Sequence, residues 1–207
     1  LITTAAAVSV CEAFEKLGFS AVLTAKGGVL ADLGGKDADD GLLLEAHADT
    51  LGAMVAQIKG NGRLRMTPLG GMNANNAEAE NVWVYTRDGK CVDGTVQLCN
   101  ASVHVNGDYS SAKRSFDTLE VVLDEDVRSA EDVRKLGIEV GDIICFSPRT
   151  RRTKSGYLKS RFLDDKLSVG ILLGFAKYLR DNDITPGRRV WVHVTVYEEV
   201  GHGGSAS

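Results

Sequence analysis

Residues Leu42–Gly52 read LLLEAHADTLG, and the rest of the chain is organised around them. The run Leu42, Leu43, Leu44 has the texture of a strand buried on both faces. It turns polar at Glu45, His47 and Asp49, and Gly52 closes the turn. In open α/β sheets, ligands bind beyond the carboxyl ends of the strands, so an apolar strand ending in His-x-Asp marks a candidate site. A neutral imidazole binds metal through one nitrogen, while a nearby carboxylate holds the other N–H and fixes the tautomer. A hydrogen-bonded histidine at a strand end is the other reading of these residues alone.

Outward from this stretch the chain alternates between two textures. Thr4–Leu17 carries Ala7, Val8, Cys11, Phe14 and Leu17 at helical spacing before Gly18. Ser20–Thr24 and Val29–Leu33 are predicted as a hairpin around Lys26-Gly27-Gly28, and Gly34–Gly41 as a polar turn leading into the Leu42 strand. From about Val55 short strand-like segments follow closely: Val55–Ile58, Leu64–Met66, Val82–Tyr85, Cys91–Leu98, Ser102–Val105, Leu119–Leu123 and Ile143–Phe146. Turns such as Asn61-Gly62, Asp88-Gly89 and Asn106-Gly107 separate them, the pattern of a small β-barrel or sandwich. Ser129-x-x-Asp132 is a capping-box-like start of a short helix ended by Gly137. The basic run Arg149–Lys154 reads as a solvated loop.

The α/β texture then returns. Asp164-Asp165 opens a helix with Leu167, Ile171, Leu172, Phe175 and Leu179 on one face, and Val190–Val196 is a buried strand followed by Glu198-Glu199. The expected architecture is α/β, a mixed sheet flanked by helices, interrupted by an inserted small β-barrel-like domain. Its boundaries are 1–55 for the first catalytic segment, 56–155 for the insert and 156–207 for the second catalytic segment.

Composition narrows the function classes. The 207 residues are 43% hydrophobic and 25% charged, with a formal net charge of −4 and no excess of positive charge to hold nucleic acid. No apolar run reaches the roughly 20 residues that span a bilayer, and Leu1–Val10 lacks a signal peptide's charged start. Cys11, Cys91, Cys99 and Cys145 are far apart, which suggests buried free thiols and a cytoplasmic protein. Leu1 is not methionine, and the chain stops at Ser207 in a small-residue stretch resembling the start of a helix. The expectation is a piece of a longer protein whose C-terminal part is missing.

Three acidic clusters carry the chemistry. Carboxylates at a helix start are stabilised by free N–H groups, which suffices for Asp164 and Asp165 taken alone. Glu198 and Glu199 stand where a parallel sheet opens its crevice; in a regular strand they point to opposite faces, so sharing one site requires the backbone to leave strand geometry, as Val200-Gly201 would allow. His47, Asp49, Asp164, Asp165, Glu198 and Glu199 together form an oxygen–nitrogen donor set suited to zinc, cobalt or manganese. A pair of metals about 3.5–4 Å apart needs a carboxylate between them and another to move the proton of the attacking water.

AHADTLG, RFLDDKLSVG and TVYEEVGHGGS, in that order with a β insert after the first, resemble the glutamyl/deblocking (tetrahedral) aminopeptidase family of dinuclear metallo-aminopeptidases. LGIEVGDIICF extends the resemblance over nearly the whole chain. It implies a metallo-exopeptidase-like catalytic domain, peptide substrates and two divalent metal ions per subunit, zinc or cobalt. It implies His47, Asp164 and Glu199 as metal ligands, Asp164 bridging with a cis Asp164–Asp165 peptide. Asp49 would orient His47, and Glu198 would be the general base and acid. It further implies a homo-oligomer assembled through the insert, with a dodecamer as one size it allows. Thr50 and Lys166 depart from the glutamate and arginine common in the family, and neither is a ligand. The family's remaining aspartate and histidine ligands are expected beyond Ser207, and His202 is expected to face a loop rather than replace them. His104 and His193 read as structural. Two other functions fit these residues: a family member without catalysis, acting in peptide binding or assembly, and a two-carboxylate glycoside hydrolase, which leaves His47 and Asp49 without a role.

Overall fold

The computed structural model describes residues 2–206, with side chains from 4 to 206. The chain divides into two compact units, one of residues 1–50 with 160–207 and one of residues 51–159.

The first unit is a mixed sheet with two helices. Helix α1 (Ile2–Lys16) leads into the hairpin β1 (Ser20–Leu23) and β2 (Val29–Gly34). Strand β3 (Asp37–His47), helix α3 (Leu163–Asp181) and strand β12 (Arg188–Thr195) complete it. The sheet order is β1-β2-β12-β3, with β12 antiparallel to β2 and parallel to β3. Phe14 of α1, Val29 and Ala31 of β2, Ala176 of α3 and Val192 of β12 are fully buried in one cluster. Each side chain the size of Phe14 contributes roughly 1.5–3 kcal/mol by leaving water.

Two expectations are corrected here. Gly34–Gly41 is only partly a turn, because β3 already begins at Asp37, where it pairs with Arg188. The Asp37 carboxylate accepts the N–H groups of Asp39 and Asp40, so the strand bulges there before regular pairing starts at Gly41. The Leu42 strand is also not buried on both faces. Among the described residues it is the outermost strand of the sheet, and there Leu42 and Leu43 are 37% and 52% exposed.

The second unit is a closed barrel. Its strands are β4 (Gly52–Ile58), β5 (Leu64–Leu69), β6 (Asn81–Tyr85), β7 (Cys91–Leu98), β8 (Leu119–Leu123) and β9 (Ile143–Phe146), in the order β4-β5-β8-β7-β6-β9. Alternate residues point inward: Val92, Gly94, Val96 and Leu98 of β7 are buried while Cys91 and Asp93 face solvent. Closure leaves no free edge strand. Helix α2 (Ala130–Lys135) starts at Ser129, whose hydroxyl accepts the Asp132 N–H at 3.2 Å. The basic run enters an exposed ribbon of β10 (Arg151–Arg152) and β11 (Leu158–Lys159).

Ser102–Val105 is not a strand. The Ser102 carbonyl accepts N–H groups from Val105 and Asn106, closing a turn, and Val103 and Val105 are exposed without a sheet to cover them. The four cysteines are free, but Cys91 and Cys99 are exposed rather than buried. Residues 201–206 form turns, not a helix start. Among the described residues no helix is long and apolar enough to cross a membrane.

Candidate metal centre

The first unit brings the sequence-derived residues together at the carboxyl ends of its two parallel strands. Pairing sets Glu45 beside His193, Ala46 beside Val194 and His47 beside Thr195, so both chains leave the sheet at one level. A cleft there is lined by Glu45, His47, Asp165, Thr195, Glu198 and His202.

His47 is the hub. Its ring is buried, with Nδ1 3.1 Å from the Asp49 carbonyl oxygen and 3.5 Å from Asp49 Oδ1. Nε2 lies 3.1 Å from Asp164 Oδ1 and 3.6 Å from Glu198 Oε2. The His47 N–H is donated to Asp165 Oδ2 at 3.3 Å. Burial opposes charge on the imidazole, but the Asp164 and Asp49 hydrogen bonds and the fields of Asp49 and Glu198 outweigh it, and the pKa of His47 is raised.

Asp49 joins the two strand ends. Its Oδ1 accepts the Glu198 N–H at 3.2 Å and its Oδ2 accepts the Glu199 N–H at 3.1 Å. The chain turns out of the strand at Tyr197, which has φ +69°, before reaching Val200-Gly201. This turn, upstream of the place expected, frees Glu198 and Glu199 from the opposite-face alternation of a strand. Burial pushes the Glu199 carboxyl up; His47 opposes this, while Glu198, Asp164 and Asp49 add to it.

Asp164 and Asp165 open α3 with non-helical backbone and a cis peptide between them, after Phe162 at φ +58°. Asp164 Oδ1 meets His47 Nε2, while Asp165 accepts the His47 backbone N–H. His202 does not face away: its Nδ1 lies 3.0 Å from Glu198 Oε1. Glu45 carries no role that its sequence position shows, and its Oε1 meets buried His193 Nδ1 at 2.8 Å. Only the register between strands 148 residues apart reveals that pair.

Imidazole and carboxylate donors fit a divalent cation of the zinc or cobalt type in kind. In number they fall short: among the described residues, no three His, Cys, Asp or Glu side chains group closely enough to hold a metal ion.

Comparison with known proteins identifies the family. A family model described as M42 glutamyl aminopeptidase matches residues 27–207, spanning all three acidic clusters. The chain belongs to the M42 glutamyl aminopeptidase family. YhfE of Bacillus subtilis (strain 168) is 41% identical to it over 182 residues, which is 88% of this chain and 53% of that one. The aminopeptidase APDkam598 of the archaeon Desulfurococcus kamchatkensis superimposes with a TM-score of 0.81 at 26% identity, covering 96% of this chain and 52% of its own. The Pyrococcus horikoshii TET1 peptidase, described as assembling into a tetrahedron or a large octahedral shell, has the same fold at a TM-score of 0.79 and 24% identity, over 96% of this chain and 57% of its own. The chain therefore spans about half the length of these relatives.

Proposed function

We propose that this chain carries the first part of the active site of an aminopeptidase that removes N-terminal residues from peptides. The observation that carries the reading is the convergence of His47, Asp49, Asp164, Glu198 and Glu199 at the ends of two parallel strands in a chain of the M42 family.

His47, Asp164 and Glu199 would be among the ligands of two divalent cations, zinc or cobalt, with the remaining ligands supplied by the rest of the full-length protein. Bound there, the cations would supply Lewis acidity toward the scissile carbonyl and lower the pKa of the attacking water. The protein's own groups do the rest. Asp49 holds the His47 ring and both glutamate amides, so the two strand ends keep one spacing. Glu198 accepts the proton of the attacking water and delivers it to the amine that leaves. The insert would mediate a homo-oligomer, a reading supported by the self-assembly of the Pyrococcus horikoshii relative. Four free thiols suit the cytoplasm as its location.

The test uses the full-length protein. After chelation it should release no N-terminal residue from a peptide, and zinc or cobalt should restore release with about two ions bound per chain. A loaded, folded protein without turnover would instead support the non-catalytic reading. Hydrolysis of glycosides independent of metal would support the two-carboxylate glycosidase.

A further inference from the structure

We propose that His202 is a positioning residue for Glu198, fixing which carboxylate oxygen faces the reacting atoms. The proposal rests on the aminopeptidase reading above.

A carboxylate that shuttles a proton works best when its rotation is arrested, because the accepting oxygen must sit within hydrogen-bond reach of the proton it takes. Each oxygen of the Glu198 carboxylate faces a histidine ring nitrogen. Its Oε2 faces His47 Nε2 at 3.6 Å, and its Oε1 meets His202 Nδ1 at 3.0 Å. His202 Nδ1 stands at ion-pair distance from this oxygen. This leaves Oε2 directed at the centre of the cluster.

The turn after β12 is built to return the ring to this place. The Glu198 carbonyl accepts the N–H groups of Gly201 and His202, closing the loop on itself. His202 stands at φ +58°, and Ser205 Oγ donates to its carbonyl oxygen at 3.0 Å. Lys26 Nζ, from the β1–β2 hairpin, donates to the Gly203 carbonyl at 2.5 Å. Gly204 packs so tightly that a Cβ there would lie 1.8 Å from the Val196 carbonyl oxygen. Four separate attachments thus set the direction of one side chain that is itself 75% exposed. An exposed pair of this kind contributes little to folding, so stability does not account for the arrangement.

The test compares three full-length, metal-loaded proteins: wild type, His202→Gly and His202→Asn. Glycine removes the ring without straining a positive φ, and asparagine tolerates that φ while keeping an N–H donor near the place of Nδ1. His202→Gly is expected to lose about 10–100-fold in kcat with KM and melting temperature little changed, and His202→Asn to recover most of the loss. Independently of turnover, ring-nitrogen NMR of the metal-free, histidine-labelled protein should show a protonated Nδ1 at His202 that is lost in Glu198→Ala. Wild-type kcat in His202→Gly, a loss shared equally by His202→Asn, or an His202 spectrum indifferent to Glu198→Ala would overturn the proposal. A wild type that is loaded and folded but inactive would overturn the aminopeptidase reading instead, and the proposal with it.

Discussion

The carboxylate of Asp49 accepts the backbone N–H of Glu199 at 3.1 Å, while its other oxygen takes the N–H of Glu198. A single side chain therefore spaces the two glutamates. Asp49→Asn removes one acceptor and leaves one amide facing a donor, at a cost of about 1–3 kcal/mol for the stranded group. The expected outcome is a fall of about 10–100-fold in turnover by the full-length protein together with a lower melting temperature. Activity and thermal unfolding of the same preparation check it.

Gly204→Ala should be costly and Gly203→Ala nearly silent. A Cβ on Gly204 meets the Val196 carbonyl oxygen at 1.8 Å and its nitrogen at 2.8 Å, both backbone atoms that cannot step aside. A Cβ on Gly203 comes no closer than 3.7 Å to the Tyr197 side chain. Forcing the turn off β12 costs about 1–3 kcal/mol, and denaturant midpoints of the two variants read the difference directly.

Acid should weaken the sheet through Asp32. Burial works against its charge, but hydrogen bonds from Arg189 and the Gly34 N–H prevail and hold its carboxyl below the ordinary value. A lowered folded-state pKa contributes stability that is present above the unfolded value of about 4 and lost as pH falls through the folded one. Both partners are partly exposed, so the effect is below about 1 kcal/mol. Urea midpoints should fall on acidification below about pH 4, and the fall should be shallower in Arg189→Met.

In the barrel, Glu120 is fully buried and paired with Lys59 Nζ at 2.6 Å and with Arg63. The cations are partly exposed, so they reach water when the glutamate is removed, whereas the glutamate has no such escape. Lys59→Met with Arg63→Met is therefore expected to destabilise by about 3–5 kcal/mol, clearly more than Glu120→Gln. Chemical unfolding of both variants tests the order.

The legible features were local ones. Alternation in Cys91–Leu98 and the Gly-containing turns around it exposed the barrel strands, and the helical spacing from Leu167 to Leu179 exposed α3. The composition of AHADTLG and TVYEEVGHGGS exposed the candidate site. What stayed hidden depends on neighbours distant in sequence. Leu42 and Leu43 read as buried because an apolar run does not record which strands stand beside it. Ser102–Val105 read as a strand because two valines at alternate positions carry no record of whether a partner strand exists. His202 read as a loop residue because its direction is set by Lys26, Val196 and Ser205, none of which its own spacing predicts.

The pairing of β3 with β12 also has a consequence for the order of assembly. Glu45 meets His193 across 148 residues, and Asp49 meets Glu198 across 149, whereas the barrel starts from the neighbouring pairs β4-β5 and β6-β7 and its longest closure, Ala53 with Ile144, spans a shorter stretch of chain. Long chain closures are entropically late, so the parallel pair joins after the barrel has formed its own contacts. The candidate site, built on that last pairing, is completed at the end of folding, and partly folded chains emerging during synthesis do not yet present it.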